Sequence, residues 1–292
     1  MKYEAILAFS QEHSVRRMCE ALGLNERNYY RWKNYQKGRK AKEEEYQAQV
    51  KLVEQVFEAS DRTYGYRTIM AELNANGIEF SEYRIRKIMR ENGFYPETRT
   101  KYRPYRTGKT DGRYKPNIVL QQFHQEAPNQ VWAGDITYIQ TNIGWVYLAV
   151  VIDLFNREVI GYSISKKINA ELARSALGNA IAHYGVKEGL IFHSDRGAQY
   201  SSKSYEKMLE QNGITGSMSR PGCPYDNSCV ESFFATLKKE RIYRRNYDTI
   251  DDVRSDLFQY IELFYNRRRR HSVLGYLSPV MYRQLYDAGK VA

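Results

Sequence analysis

The sequence predicts an α/β fold: a mixed five-stranded sheet with helices, preceded by small all-helical modules. Three observations lead there. "QVWAGDITYIQ", "WVYLAVVID" and "REVIGYSIS" are β-rich runs in close succession, separated by "TNIG" and "LFN", the pattern of an antiparallel meander. After them, helical and strand-like stretches alternate. Ahead of Gln130 the periodicity is helical throughout.

From the N-terminus, residues 14–34, "SVRRMCEALGLNERNYYRWKN", read as a helix, a turn at Gly23 and a second helix capped by Asn25. This helix-turn-helix outline marks a first segment, residues 1–42. Its second helix holds Arg27, Tyr29, Tyr30, Arg31, Trp32 and Lys33, residue types that suit either a duplex or plain helical packing. Residues 46–98 repeat the theme as a helix-turn-helix DNA-binding domain, with helices over "YQAQVKLVEQVFEAS", "YRTIMAELNANG" and, behind an N-cap at Ser81, "SEYRIRKIMRENG". Gly77 and Gly93 stand where C-terminal caps belong. In the last helix Ile85, Ile88 and Met89 form an apolar stripe, and Arg84, Arg86, Lys87 and Arg90 lie off it as a basic face for phosphate.

Residues 99–124 read as a basic linker. Within them "RTKYRPYRTGKTDGRYKP" has no apolar period and sets seven basic residues against Asp111, with Lys101, Arg103 and Arg106 as candidate DNA contacts. Residues 125–286 form the α/β domain. After the meander come a helix over "NAELARSALGNAIAHYG", the strand "LIFHSD", a helix over "SKSYEKMLEQNG", a short strand "ITGSMS" and a helix over "DNSCVESFFATLKKERI". That order is ribonuclease H-like. A long amphipathic helix is then expected to open with Asp251 and Asp252 and close on Arg267, Arg268, Arg269 and Arg270; some of these four are expected to meet phosphate.

Composition limits the function. A chain of 292 residues with 42% apolar content is globular, and the run Ile143 to Ile152 is too short to cross a bilayer. The N-terminus lacks a signal peptide's apolar core, so a cytoplasmic protein, nucleoid-associated when on DNA, with no membrane partner, is expected. Three cysteines without C-x-x-C spacing support neither a disulfide framework nor a zinc ribbon. The net charge of +11 points to a polyanionic partner, and residues 1–124 hold 24 Lys and Arg against 16 Asp and Glu, so the front of the chain is the expected DNA holder.

The chemistry is expected at Asp135 in "WAGDITYI", Asp195 in "FHSDRG" and Glu231 in "NSCVESFF". In the order above, the first and fourth strands lie side by side and the last core helix can cross them. Two carboxylates there repel unless hard cations bind them, which suits two Mg²⁺ ions, or Mn²⁺, and phosphoryl transfer on DNA. Asp153 could reach the same place and reads as a turn residue. His193 shares a strand face with Asp195 and is either an active-site neighbour or a hydrogen-bonded core histidine. Lys238 follows Glu231 by two helical turns and could meet phosphate beside the metals or simply be solvated.

These residues bring out a resemblance. With "WAGDITYI", "FHSDRGAQYSS", "SMSRPGCPYDNSCVESFFATLKKE" and "YNRRRRHSVLGYLSP" in order, and thirty-five residues between Asp195 and Glu231, the chain resembles the bacterial insertion-sequence DDE transposases with a retroviral-integrase-type core. It is most similar to the downstream-frame product, OrfB, of the insertion sequence family 3 group. The resemblance implies that Asp135, Asp195 and Glu231 are metal-binding catalytic residues in a Mg²⁺-dependent cleavage that frees a 3′-OH, followed by strand transfer. It also implies His193 and Lys238 as active-site neighbours, and DNA as partner at element ends and target. An upstream-frame OrfA product that supplies a leucine zipper is a further possible partner. Two ends must be held, so a homo-oligomer on DNA is expected. A simple metal-dependent nuclease and a non-catalytic regulator of the element are the rival functions.

Overall fold

The structure, a computed structural model, describes residues 1–98 and 114–290, and the chain divides into two compact units, Met1–Tyr95 and Pro96–Ala292.

The first unit is helical: α1 (Lys2–Ala8), α2 (Val15–Ala21), α3 (Glu26–Ala59), α4 (Tyr66–Ala75) and α5 (Glu82–Glu91). Ile6, Cys19 and Tyr29 form a small core with Tyr3, Val15, Met18, Leu24 and Trp32. Val50, Val53 and Phe57 of α3 are buried, as are Ile69, Leu73, Ile85 and Ile88 of α4 and α5, and Phe57 stacks on Phe94 at 5.5 Å. The boundary expected between residues 42 and 46 falls inside α3, which runs unbroken for 34 residues. Its middle, "KGRKAKEEEYQAQ", changes charge from basic to acidic but, Gly38 apart, consists of residues that tolerate a helix well.

The second unit contains one five-stranded sheet of order β3-β2-β1-β4-β5. The strands are β1 (Val131–Thr141), β2 (Gly144–Asp153), β3 (Val159–Ser165), β4 (Ile191–Ser194) and β5 (Thr215–Met218). The first three are antiparallel, as the sequence predicts, and β4 and β5 run parallel to β1. Helices α6 (Ala170–Tyr184) and α7 (Lys203–Gln211) pack with Trp132, Val151 and Phe192 on one face. On the other, α8 (Ser228–Glu240) and α9 (Ile250–Phe258) cover Val131, Ala133, Leu148 and Val150. Gly161 lets α6 lie close on β3, since a Cβ there would run into the Ala176 carbonyl oxygen.

Two expectations are corrected. Part of the expected linker belongs to this unit: Val119 is buried in the core, and the Ile118 amide donates to Ser217 Oγ at 2.9 Å. Val119 of the apolar "NIVL" anchors this stretch by burying its side chain. The long helix, secondly, does not reach the arginines. A Thr249–Asp252 capping box starts α9 as expected, but the helix widens into a π-helical stretch, Gln259–Tyr265, and ends there. Asn266 explains the stop, because its side-chain amide donates to the Val159 carbonyl at 2.9 Å and accepts from the Val159 amide at 3.0 Å, as a neighbouring strand would. A separate α10 (Pro279–Asp287) follows. Among the described residues, no helix is long and apolar enough to cross a membrane.

Candidate active site

Parallel pairing of β1 with β4 sets Gly134 opposite Ser194, so the next residues, Asp135 and Asp195, emerge side by side. Each aspartate turns one oxygen onto the backbone. Asp135 Oδ1 accepts from the Ile136 amide at 2.7 Å, and Asp195 Oδ1 accepts from the Gly197 amide at 2.9 Å. Above them, α8 buries Val230, Phe233, Phe234 and Leu237 against the sheet, which leaves Glu231 and Lys238 on another face, two turns apart. Asn227 ties the start of this helix to β1 by donating to the Gly134 carbonyl at 3.3 Å.

The electrostatics follow from that packing. Burial, and then the Asp195 charge, push the Asp135 carboxyl well above the usual range; Glu231 adds to this, while the Ile136 amide and Lys238 oppose it. Burial raises Asp195, and burial followed by Asp195 raises Glu231. Lys238 is lowered by burial, with Asp135 pulling the other way, and its Nζ sits 4.5 Å from the Tyr138 ring centroid. The four groups thus feel one another. Among the described residues no three His, Cys, Asp or Glu side chains converge tightly enough to hold a metal ion in their present rotamers.

His193 shares the face of Asp135, through its pairing with Ala133, but is a core histidine. Its Nδ1 lies 2.9 Å from Ser217 Oγ and its Nε2 3.2 Å from Ser219 Oγ, so both ring nitrogens are occupied, and burial lowers its pKa. Asp153 pairs with Trp132 and so lies on the opposite face from Asp135, which pairs with Val150. It accepts from the Phe155 and Asn129 amides at 3.0 and 2.9 Å, a turn residue as expected, and burial lifts it to about 6.

Several expected DNA contacts are occupied within the fold. Arg269 is committed to Glu240, at 2.7 Å, because the carboxylate is buried and needs a partner. Arg270 donates to the Tyr276 carbonyl at 3.1 Å, while Arg267 and Arg268 are exposed. In α5, Arg84 donates to Gln49 at 2.6 Å and lies over the Tyr46 ring, Arg86 pairs with Glu82, Lys87 pairs with Glu91, and Arg90 is exposed. Lys101, Arg103 and Arg106 lie outside the described residues.

Sequence reasoning assigned no role to Asp226, although it stands inside the quoted "RPGCPYDNS". Its fully buried carboxylate accepts from the Arg220 amide at 2.9 Å, Arg220 Nη2 at 3.0 Å, Gln121 Nε2 at 2.7 Å and Asn117 Nδ2 at 2.9 Å, which hold it far below the usual carboxylate range. This closes the loop that delivers α8 to the sheet.

A five-stranded sheet of this order, with acidic side chains in the middle of β1, just past the end of the neighbouring β4 and on the helix crossing them, defines the class: an integrase-type polynucleotidyl transferase core. Residues 125–224 and 212–279 match models described as Integrase core domain, and residues 44–102 match an HTH-like domain. Transposase InsF for insertion sequence IS3A of Escherichia coli (strain K12) is 38% identical over 279 residues, 96% of this chain and 97% of that protein. The insertion element IS600 uncharacterized 31 kDa protein of Shigella sonnei is 36% identical over 270 residues, 92% and 98% of the two chains. A structure of the HTLV-2 integrase catalytic core domain in complex with magnesium (trimeric form) aligns at 19% identity over 54% of this chain and 98% of that one, with a TM-score of 0.43. The chain belongs to the insertion-sequence transposases of the InsF kind, DDE-type enzymes of DNA transposition. Such a core depends on a divalent metal, and the donors here fit one: hard carboxylate oxygens, with Asp135 raised by the charges of Asp195 and Glu231 and Glu231 raised by that of Asp195, a repulsion that a cation relieves.

Proposed function

We propose that Asp135, Asp195 and Glu231 are the catalytic carboxylates and hold two Mg²⁺ ions, which Mn²⁺ can replace, for cleavage at the element's ends and strand transfer by the freed 3′-OH into target DNA. The observation that supports this most is the convergence of two partly buried carboxyls where β4 ends against the middle of the parallel β1, both shifted upward, with Glu231 and Lys238 in electrostatic reach. Bound ions would polarise the scissile phosphate and neutralise charge on the attacking and leaving oxygens.

The protein's own groups do the rest. Oδ1 of each aspartate is anchored by a backbone amide, so the second oxygen is oriented toward the cleft. Lys238, half-buried and braced by Tyr138, places a positive charge where the DNA phosphate enters beside Asp135. Phe233, Phe234 and Leu237 keep α8 seated on the sheet, and thereby keep Glu231 near the two aspartates. In this reading residues 125–286 are the catalytic domain and residues 46–98 the DNA-binding domain. The chain acts in the cytoplasm, at the nucleoid, as a homo-oligomer that holds two ends, with an OrfA-type product as a possible partner.

The test is a supercoiled plasmid with the element's ends, incubated with the full chain in Mg²⁺, in EDTA, or with Glu231→Gln. Nicking at the ends followed by joined products, lost in EDTA and in the variant while duplex binding persists, is expected. Equal cleavage by Glu231→Gln overturns the assignment. Nicking without end preference would make the chain a nuclease, and activity gained only with an upstream-frame product would make it the catalytic half of a larger enzyme.

A further inference from the structure

Among the described residues Arg27, Arg31 and Lys37 of α3 have no partner in the fold, whereas three of the four basic residues of α5 have one. At the α2–α3 turn Gly23 adopts φ +68°, which lets the chain reverse, and Leu24 closes the turn by donating its amide to the Cys19 carbonyl at 2.8 Å. Asn25 then caps α3, accepting from the Arg27 amide at 2.9 Å. Two short helices and the start of a long one thus enclose Ile6, Cys19 and Tyr29 in the helix-turn-helix outline.

Within α3 the inward face is Tyr29, Trp32 and Gln36, which are buried or half-buried. At 3.6 residues per turn the opposite face is Arg27, Tyr30, Arg31, Asn34 and Lys37, and all five are exposed. From Glu26 to Lys42 the helix carries seven Lys and Arg against Glu26 alone. The side chains of Arg27, Arg31 and Lys37 make no hydrogen bond or ion pair among the described residues, whereas Arg84, Arg86 and Lys87 of α5 each have one. A face that is only solvated has no need of an exposed tyrosine and asparagine set between unpaired cations. The residues concerned precede the HTH-like match, which begins at residue 44.

We propose that the Arg27–Lys37 face of α3 is a second duplex-DNA site of this chain. The first turns of α3 enter the major groove with Tyr30 and Asn34 toward base edges, and Arg27, Arg31 and Lys37 lie on the flanking phosphates. DNA is the occupant that charge complementarity selects, and the site is independent of the carboxylates of the second unit.

The test uses the full chain in EDTA, which separates binding from cleavage, and a fluorescently labelled duplex several helical turns long, followed by anisotropy over a salt series. Arg27→Ala with Arg31→Ala is expected to weaken binding roughly tenfold and to reduce the salt slope by about two, one for each lost phosphate contact. Arg27→Lys with Arg31→Lys is expected to restore the slope. Unchanged affinity and slope in the alanine pair overturn the proposal, as does an alanine pair that alters sedimentation of the free chain but not duplex binding, since that marks a protein interface. A second measurement does not rely on affinity: Asn34→Cys should form a disulfide with a thiol tethered to a base in the major groove, and no cross-link at any base position rejects groove entry.

Discussion

Replacing Arg269 by alanine separates a structural from a DNA-binding role within the arginine run. Its guanidinium meets Glu240 with Nη2–Oε1 at 2.7 Å and Nε–Oε2 at 2.9 Å, and Tyr260 donates its hydroxyl to the same carboxylate at 2.7 Å. The two side chains are 19% and 10% exposed. Removing one member of a buried pair costs ~3–5 kcal/mol, because the other charge is left without compensation. The residual exposure of Arg269 lets water reach the stranded carboxylate, which places this pair at the lower end, about 3 kcal/mol. For a unit of this size that lowers Tm by roughly 6–12 °C. Combining Arg269→Met with Glu240→Gln strands no charge and keeps an acceptor for Tyr260, so most of the loss should return. Arg267→Ala and Arg268→Ala, at exposed positions, should change stability by less than about 0.5 kcal/mol. Urea unfolding of the full chain measures both stabilities, and duplex affinity of the same variants reads the DNA-binding role. A loss below about 1 kcal/mol in Arg269→Ala, together with a large fall in duplex affinity, would refute the structural assignment.

Three further outcomes are expected. In EDTA the raised carboxyls of Asp135 and Asp195 weaken the fold as pH rises through their shifted range and cost nothing in acid, where both are protonated in either state. Asp195→Asn should therefore melt above the wild type at alkaline pH and together with it in acid, with the order reversed by added Mg²⁺; a variant that melts lower at both pH values contradicts this. Gly161→Ala would press a Cβ against the Ala176 carbonyl and to 2.7 Å from the Ala180 nitrogen, so α6 must shift at a cost of ~1–3 kcal/mol, and an unchanged urea midpoint argues against that close approach. Asp226→Asn should weaken the anchor on Arg220, with its own loss of about 2 kcal/mol, faster amide exchange over residues 220–228 and slower nicking; normal exchange there would show that the loop is held by other contacts.

What could be read from the sequence was set locally. The meander followed from alternation and turn residues, and the positions of Asp135 and Asp195 followed from strand order, which sets the middle of the first strand beside the end of the fourth. Asp153 was separable from them by the same alternation, because pairing with Trp132 fixes its face. The end of α9 was not legible. It depends on Asn266 bonding Val159, 107 residues away, an interaction with no trace in the helical period. The unbroken α3 was hidden for the opposite reason: a change of charge sign looks like a boundary, yet charge exerts little control over helix continuity when intrinsic propensity persists.

Partner choice explains why the acids were easier to locate than the DNA contacts. A carboxylate on a strand end is aimed by its own backbone, whereas an arginine's availability depends on whether any acid within reach of its long side chain has claimed it. Glu240 claims Arg269 from 29 residues away, and Glu82 and Glu91 claim Arg86 and Lys87 from one turn away. Counting charges placed the DNA holder in the front of the chain, and pairing then redistributes that charge within it. The basic stripe of α5 is largely neutralised where it was expected to act, whereas on α3, where helical packing accounted equally well for the same residue types, Arg27, Arg31 and Lys37 have no acid partner among the described residues and Lys40 pairs with Glu44. The two faces of α3 divide accordingly: Tyr29 and Trp32 turn inward to the small core, and Arg27 and Arg31 turn out to solvent.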